Sequence, residues 1–284
     1  MQAAIKVDSI HFAYGSQKAV NGISFEVAPG EVLGFLGPNG AGKSTTIKML
    51  TGQLIPAQGQ IHILGQAVRG HSSAVHQRMG VSFEEKNLYL QMSAVENLKF
   101  YANLFGIKKP DIDGLLEQVD LLKRKKDRVS SFSKGMRQRL MIARALINDP
   151  EVLFLDEPTD GLDPVSAQAI RNIIRARSAS GTAVLLTTHD MTEADKLSDR
   201  VAFINEGVLH AVDTPENLKL KHGQRSALVR VRQNGGIEEI RVALDSGDTG
   251  EALKQAVQGR EVLTVHTEEA SLEDIFIKMT GRGL

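Results

Sequence analysis

Gly37-Pro38-Asn39-Gly40-Ala41-Gly42-Lys43-Ser44 follows a short apolar run, Val32 to Leu36, and precedes a helical pattern from Ser44. These eight residues satisfy the phosphate-loop pattern in the strand, loop, helix order that the pattern needs. Glycines let backbone N–H groups curl around phosphate oxygens, and the N-terminus of the following helix adds the positive end of its dipole. Lys43 can reach the β- and γ-phosphates, and the Ser44 hydroxyl can face Mg²⁺. The expected nucleotide-binding set is therefore Gly37, Asn39, Gly40, Ala41, Gly42, Lys43, Ser44 and Thr45. A phosphate loop alone does not separate kinase, GTPase and ATPase. A second carboxylate site stands at Val152-Leu153-Phe154-Leu155-Asp156-Glu157. Four apolar residues predict a buried strand that delivers Asp156 to its carboxyl end, where it can hold Mg²⁺ through water. Glu157 beside it can activate a water for attack on the γ-phosphate.

Those residues need a scaffold, and the apolar periodicity outlines one. Ile5/Val7, Ile10/Phe12/Tyr14 and Ile23/Phe25/Val27 alternate at period two and predict strands. From about 91 to 150 the spacing turns helical, with Val95, Leu98, Tyr101 and Phe105, then Leu115/Leu116/Val119 and Leu140/Ala143/Leu146. This block reads as a helical subdomain inserted in an α/β one. After Pro150, strands at Val152 to Leu155, Ala183 to Thr188 and Val201 to Ile204 alternate with helices from Pro164 and near Thr192. Such alternation predicts a mainly parallel sheet with helices on its faces. Thr214 followed by Pro215 starts a further helix, as a cap and a first-turn proline. Beyond Lys221 the character changes: two alternating stretches, a helical Ala252 to Val257, a strand near Val262 and a last helix opened by Ser271 with Asp274. The expected organisation is a domain over 1–220 and a small α+β domain over 221–284.

Several segments together resemble the nucleotide-binding subunit of ATP-binding cassette (ABC) transporters over essentially all of residues 1–217. Phe132-Ser133-Lys134-Gly135-Met136, followed by Arg137-Gln138-Arg139, resembles the family's LSGGQ signature and its basic continuation. Gly161-Leu162-Asp163 resembles the D-loop, and His189 after Leu185-Leu186-Thr187-Thr188 resembles the switch histidine. The resemblance implies an α/β phosphate-loop NTPase fold of the ABC ATPase type, with ATP and Mg²⁺ as ligands. It implies that Tyr14 stacks on adenine and that His189 senses the γ-phosphate and the attacking water. Ser133 and Gly135 are implied to supply a hydroxyl and a close backbone approach to the γ-phosphate of a nucleotide held by a partner chain, and Lys134 and Asp163 belong to the expected nucleotide-binding set. The chain departs from the pattern where Lys134 replaces the first signature glycine, Phe132 the leucine and Met136 the glutamine. Glu84 stands where the family's Q-loop glutamine would face Mg²⁺. Lys134 adds a cation near phosphate or is a solvated residue at a helix start. Lys123-Arg124-Lys125-Lys126 reads as a solvated face, with contact to lipid headgroups or to an acidic partner surface as the alternative.

Phe83-Glu84-Glu85-Lys86-Asn87-Leu88-Tyr89, the run Asp156 to Pro164 and the ending Ser271 to Phe276 resemble the bacterial branch that drives multidrug, peptide-antibiotic and lipid export. In that branch ATPase and permease are separate chains. The implied partners are an integral membrane permease and a second ATPase subunit, identical or not. An importer ATPase and a soluble ATPase of the same superfamily are the alternative readings. Composition agrees with a globular ATPase: 284 residues, 42% hydrophobic and 24% charged. Cysteine is absent, which excludes disulfides, thiolate zinc sites and cysteine nucleophiles. The 34 basic residues balance 34 acidic ones, so bulk attraction to nucleic acid is not expected. No stretch of about 18 apolar residues could span a bilayer. Lys6 and Asp8 interrupt any signal-peptide core, so a cytoplasmic location on the inner face of the membrane, through the permease, is expected.

Overall fold

A computed structural model describes residues 2–70, 73–83, 87–223, 226–233, 236–244, 248–268 and 270–281. The chain divides into two compact units, Met1–Val212 and Asp213–Leu284. In the first, the order is β1(Ile5–Tyr14), β2(Gln17–Val27), β3(Val32–Leu36), α1(Lys43–Leu50), β4(Gln58–Ile63), β5(Gln66–Ala67), α2(Ser73–His76) and β6(Met79–Ser82). Then follow α3(Ala94–Leu104), α4(Ile112–Gln118), α5(Lys134–Ala145), β7(Val152–Asp156), α6(Pro164–Ala179), β8(Ala183–Thr188), α7(Met191–Leu197), β9(Arg200–Asn205) and β10(Val208–Asp213).

The central sheet has the order β10-β9-β3-β8-β7-β6. Within it β9, β3, β8, β7 and β6 run parallel. Every residue of β3, β7 and β8 is buried, as expected for strands covered on both faces. Period two divides their side chains between two cores. Leu153, Leu155, Val184 and Leu186 face a core built with Leu98, Leu116, Leu140 and Ile142 of the helical block. Val152, Phe154, Leu185, Leu33 and Phe35 face a second core with Ile47 and Leu50 of α1 and with Ile5, Ile10 and Ile23 of the first strands.

Those first strands are not part of the parallel sheet. They form a separate four-stranded sheet, β2-β1-β4-β5, with antiparallel pairing throughout. The reason is local: only Gly15 and Ser16 join β1 to β2, and so short a connection can only fold the chain back on itself. In the helical block, α3 starts at a capping box in which Ser93 and Glu96 exchange hydrogen bonds. The Ser93 N–H first, then its hydroxyl, hold the Glu96 carboxyl below the usual range. The basic run 123–126 is partly neutralised, Lys125 by Asp113 at 2.6 Å and Arg124 by Asp127.

The second unit contains α8(Pro215–His222), β11(Ser226–Gln233), β12(Gly236–Ala243), α9(Thr249–Val257), β13(Glu261–Glu268) and α10(Leu272–Thr280). Its three strands are antiparallel in the order β12-β11-β13. Val229, Val231 and Val242 make a small core with Ala256 of α9. Thr214 caps α8 with Pro215 in its first turn, and Ser271 with Asp274 forms the capping box of α10. The Lys221 ammonium, followed by the Asn217 amide, holds the Asp213 carboxyl down at about 2.

Candidate functional site

Strand register brings the site together. Leu36 pairs with Thr188 and Asp156 with Thr187, so β3, β7 and β8 end side by side. What leaves each strand at that end is the glycine-rich loop, the acidic pair and His189, at the carboxyl edge where open parallel sheets bind ligands.

The loop enters α1 through Gly42, whose φ of 109° and approach to the Ala19 carbonyl, 2.5 Å from where a Cβ would sit, admit only glycine. No side chain caps α1, and its first turn carries no acidic residue. The leading N–H groups of that turn therefore have no intrahelical acceptor, and no carboxylate of the turn itself competes for an anion. A cavity of about 120 Å³ lies there, lined by Pro38, Asn39, Gly40, Gly42, Lys43, Ser44, Thr45 and Glu157. Ala41 is buried and bonds the loop to Gly207 rather than lining it. The Lys43 ammonium is at the centre: it donates to the Gly37 carbonyl at 2.6 Å and lies 3.3 Å from Glu157 Oε1.

Asp156 is buried at 4% exposure at the end of β7 and accepts a hydrogen bond from the Thr187 hydroxyl. Glu157 is held at φ 49°, a conformation that costs a non-glycine residue about 1–3 kcal/mol and clusters at functional sites. Its N–H donates to the Thr187 carbonyl at 3.1 Å. Glu157 Oε2 is 3.1 Å from His189 Nδ1, whereas the buried Oε1 meets Lys43 only as an ion pair and finds no hydrogen bond among the described residues. The donors present, a serine hydroxyl and carboxylates, are hard oxygens suited to Mg²⁺, which protein groups usually hold through only one or two carboxylates together with phosphates. Among the described residues no three His, Cys, Asp or Glu side chains group together as a metal site.

The signature residues stand apart from this cavity: Ser133, Lys134, Gly135 and Asp163 do not line it. Ser133 caps α5 by accepting from the Met136 N–H at 3.2 Å. Gly135 packs on the start of α6, where a Cβ would fall 2.4 Å from Ser166 Oγ. Asp163 caps α6, and hydrogen bonds from the Ser166 hydroxyl, then from backbone N–H groups, hold its carboxyl below the usual range. Lys134 Nζ reaches Asp160 at 3.4 Å. Tyr14 is half exposed at the end of β1, edge-on to Phe12. Glu84 lies outside the described residues.

Two residues joined to the site were not singled out from the sequence. Thr187 contacts both carboxylate residues, and its signal is the pair of threonines, Thr187 and Thr188, that ends an otherwise apolar strand. Asp160 touches Lys134 and faces His189 at 4.0 Å, contacts that no local pattern announces.

The chain is similar to several known proteins. The ABC transporter family pattern matches residues 20–160. A fluoroquinolones export ATP-binding protein of Mycobacterium tuberculosis is 43% identical over 99% of this chain and 94% of its own length. A bacitracin transport ATP-binding protein of Bacillus licheniformis is 38% identical over 100% of this chain and 99% of its own. Among solved structures, a part of the cbiONQ ABC transporter complex of Clostridium perfringens superposes with a TM-score of 0.70 at 26% identity, covering 78% of this chain and 92% of that one. Identity at this level along essentially the whole length shows that the chain belongs to the ABC transporter family, as one of its ATP-binding subunits.

Proposed function

We propose that this chain hydrolyses ATP to power a separate membrane permease that exports a drug, peptide antibiotic or lipid. The carrying observation is the meeting of Lys43, Asp156, Glu157 and His189 at the ends of three adjacent parallel strands. Export follows from the relatives, an export protein for fluoroquinolones and a transport protein for bacitracin. No helix among the described residues is long and apolar enough to cross a membrane, and the translocation path is assigned to the permease. That permease places the chain on the inner face of the membrane.

In the reaction, phosphate oxygens accept from the N–H groups of the loop and of the first turn of α1, with Tyr14 on the adenine. The γ-phosphate competes for the Lys43 ammonium, which frees Glu157 Oε1 from its ion pair. Ser44 and Asp156 would hold Mg²⁺, and Glu84 would be its further candidate ligand. The ion, when bound, spreads the charge that develops on the phosphates. Glu157 takes a proton from a water whose oxygen attacks the γ-phosphorus. The bond to the β,γ-bridging oxygen breaks, and ADP and phosphate leave. His189, 3.1 Å from Glu157, orients that carboxylate and the water.

Ser133, Lys134 and Gly135 do not line their own chain's phosphate cavity, so they are assigned to ATP held by a second copy or a homologous subunit. Lys43→Ala and Ser133→Arg chains should each lack intact composite sites, yet a mixed dimer has one. Mixing should restore ATPase activity above the sum of the separate proteins. Mixed dimers that form without any gain would remove the trans arrangement. For the permease, mass spectrometry of proteins copurifying from detergent-solubilised membranes should recover an integral membrane protein. Recovery with ribosomes or DNA alone would overturn the transport reading.

A further inference from the structure

Lys134 opens α5 beside the Ser133 cap, and its side chain, though exposed, turns toward a neighbouring segment. It crosses to the segment after β7, where Nζ lies 3.4 Å from Asp160 Oδ2. The ammonium also covers Gly161, at which a Cβ would fall 2.0 Å from Nζ. The other Asp160 oxygen faces His189 Nε2 at 4.0 Å. His189 in turn faces Glu157, and Glu157 faces Lys43. The lysine that replaces a signature glycine is thus joined, through one carboxylate, to the row of side chains that ends in the phosphate loop.

We propose that Asp160 and the ATP held by a second copy compete for the Lys134 ammonium, so that Asp160 sets the ATP concentration at which two copies close. The inference rests on the reading that ATP is sandwiched between two chains. Its physical basis is the disparity between the rivals. Both partners of the present pair are almost half exposed, at 43% and 44%, and they share one contact at 3.4 Å, the regime in which ion pairs are weak. A γ-phosphate offers several anionic oxygens and makes shorter charge-assisted bonds. ATP therefore displaces Asp160, and the carboxylate so released still faces His189 Nε2, 4.0 Å from its other oxygen. Asp160 is in this view a positioning residue, since it does not line the phosphate cavity and acts through Lys134.

A simpler electrostatic account makes a different prediction. If Asp160 merely repels ATP, its neutralisation should help closure whether or not Lys134 is present. If it holds Lys134, neutralisation should help only when the lysine is there. The experiment uses the full-length Glu157→Gln chain, titrated with MgATP and followed by size-exclusion chromatography with light scattering. Asp160→Asn should lower the ATP concentration for half-maximal dimer by about 1.5–5-fold. Lys134→Met, which keeps length and removes charge, should raise it by about tenfold or more. Lys134→Arg should stay near the parent value. Asp160→Asn combined with Lys134→Met should match Lys134→Met alone. An equal Asp160→Asn effect in both backgrounds would overturn the competition, as would no effect in either. Absence of any ATP-dependent dimer in the Glu157→Gln parent would instead remove the sandwich reading on which the inference stands.

Discussion

Glu157→Gln is expected to bind ATP and to form a persistent dimer in MgATP, while its turnover falls about 10²–10⁴-fold, the usual contribution of a positioned base. Both carboxylate oxygens are engaged, Oε1 3.3 Å from Lys43 and Oε2 3.1 Å from His189, and the side chain is only 9% exposed. Glutamine fills the same volume and can still meet His189, but it accepts no proton. It also ends the ion pair with Lys43, which leaves that ammonium to the γ-phosphate. Binding and closure should therefore survive or strengthen as hydrolysis is lost. Turnover assays and size-exclusion chromatography with MgATP read the two effects separately. A variant that hydrolyses ATP at the wild-type rate, with no dimer beyond that of the parent chain, would take Glu157 out of the role.

Asp156→Asn should fail earlier in the cycle. The carboxylate is buried and fixed by the Thr187 hydroxyl, so its charge is held in place at the strand end. An amide keeps the shape and can still accept from Thr187, which preserves the fold of β7. The charge facing the cation is lost, and a group that holds a metal from its outer shell typically accounts for about 10–100-fold in affinity. Titration of a fluorescent ATP analogue at several Mg²⁺ concentrations should show that loss only when the ion is present, and binding in excess chelator should be unchanged. A variant with the Mg²⁺ dependence of the parent chain would assign the cation to other oxygens. Glu157→Gln, by contrast, should keep the parent Mg²⁺ requirement.

Much of the scaffold was readable because its signals are local. An unbroken apolar run as short as Val152 to Leu155, between Pro150 and an acidic pair, fits a strand covered on both faces better than a helix, and β7 is buried throughout. Thr214-Pro215 and Ser271 with Asp274 carry capping chemistry within four residues, and both cap helices as expected. Elements with weaker local patterns went unread. β4 has apolar residues only at Ile61 and Ile63 and is otherwise largely exposed, β6 is four residues long, and no residue of β10 is fully buried. Nor did alternation along the first strands say which sheet they join, since period two is the same in a parallel and an antiparallel ladder.

The sequence by itself determined the glycine-rich loop between strand and helix, the acidic pair at the end of an apolar strand, and the family resemblance those motifs carry with the signature segment. Each depends on neighbouring residues, whose spacing sets their geometry whatever surrounds them. Only the tertiary structure decided that Thr187 links Asp156 to Glu157, that Gly135 is needed against Ser166, and that Lys134 is held by Asp160. Those contacts join residues 26 to 31 positions apart along the chain in the cases of Lys134 with Asp160 and Asp156 with Thr187. Their partners are chosen by how strands register and helices pack, and no local propensity encodes that choice.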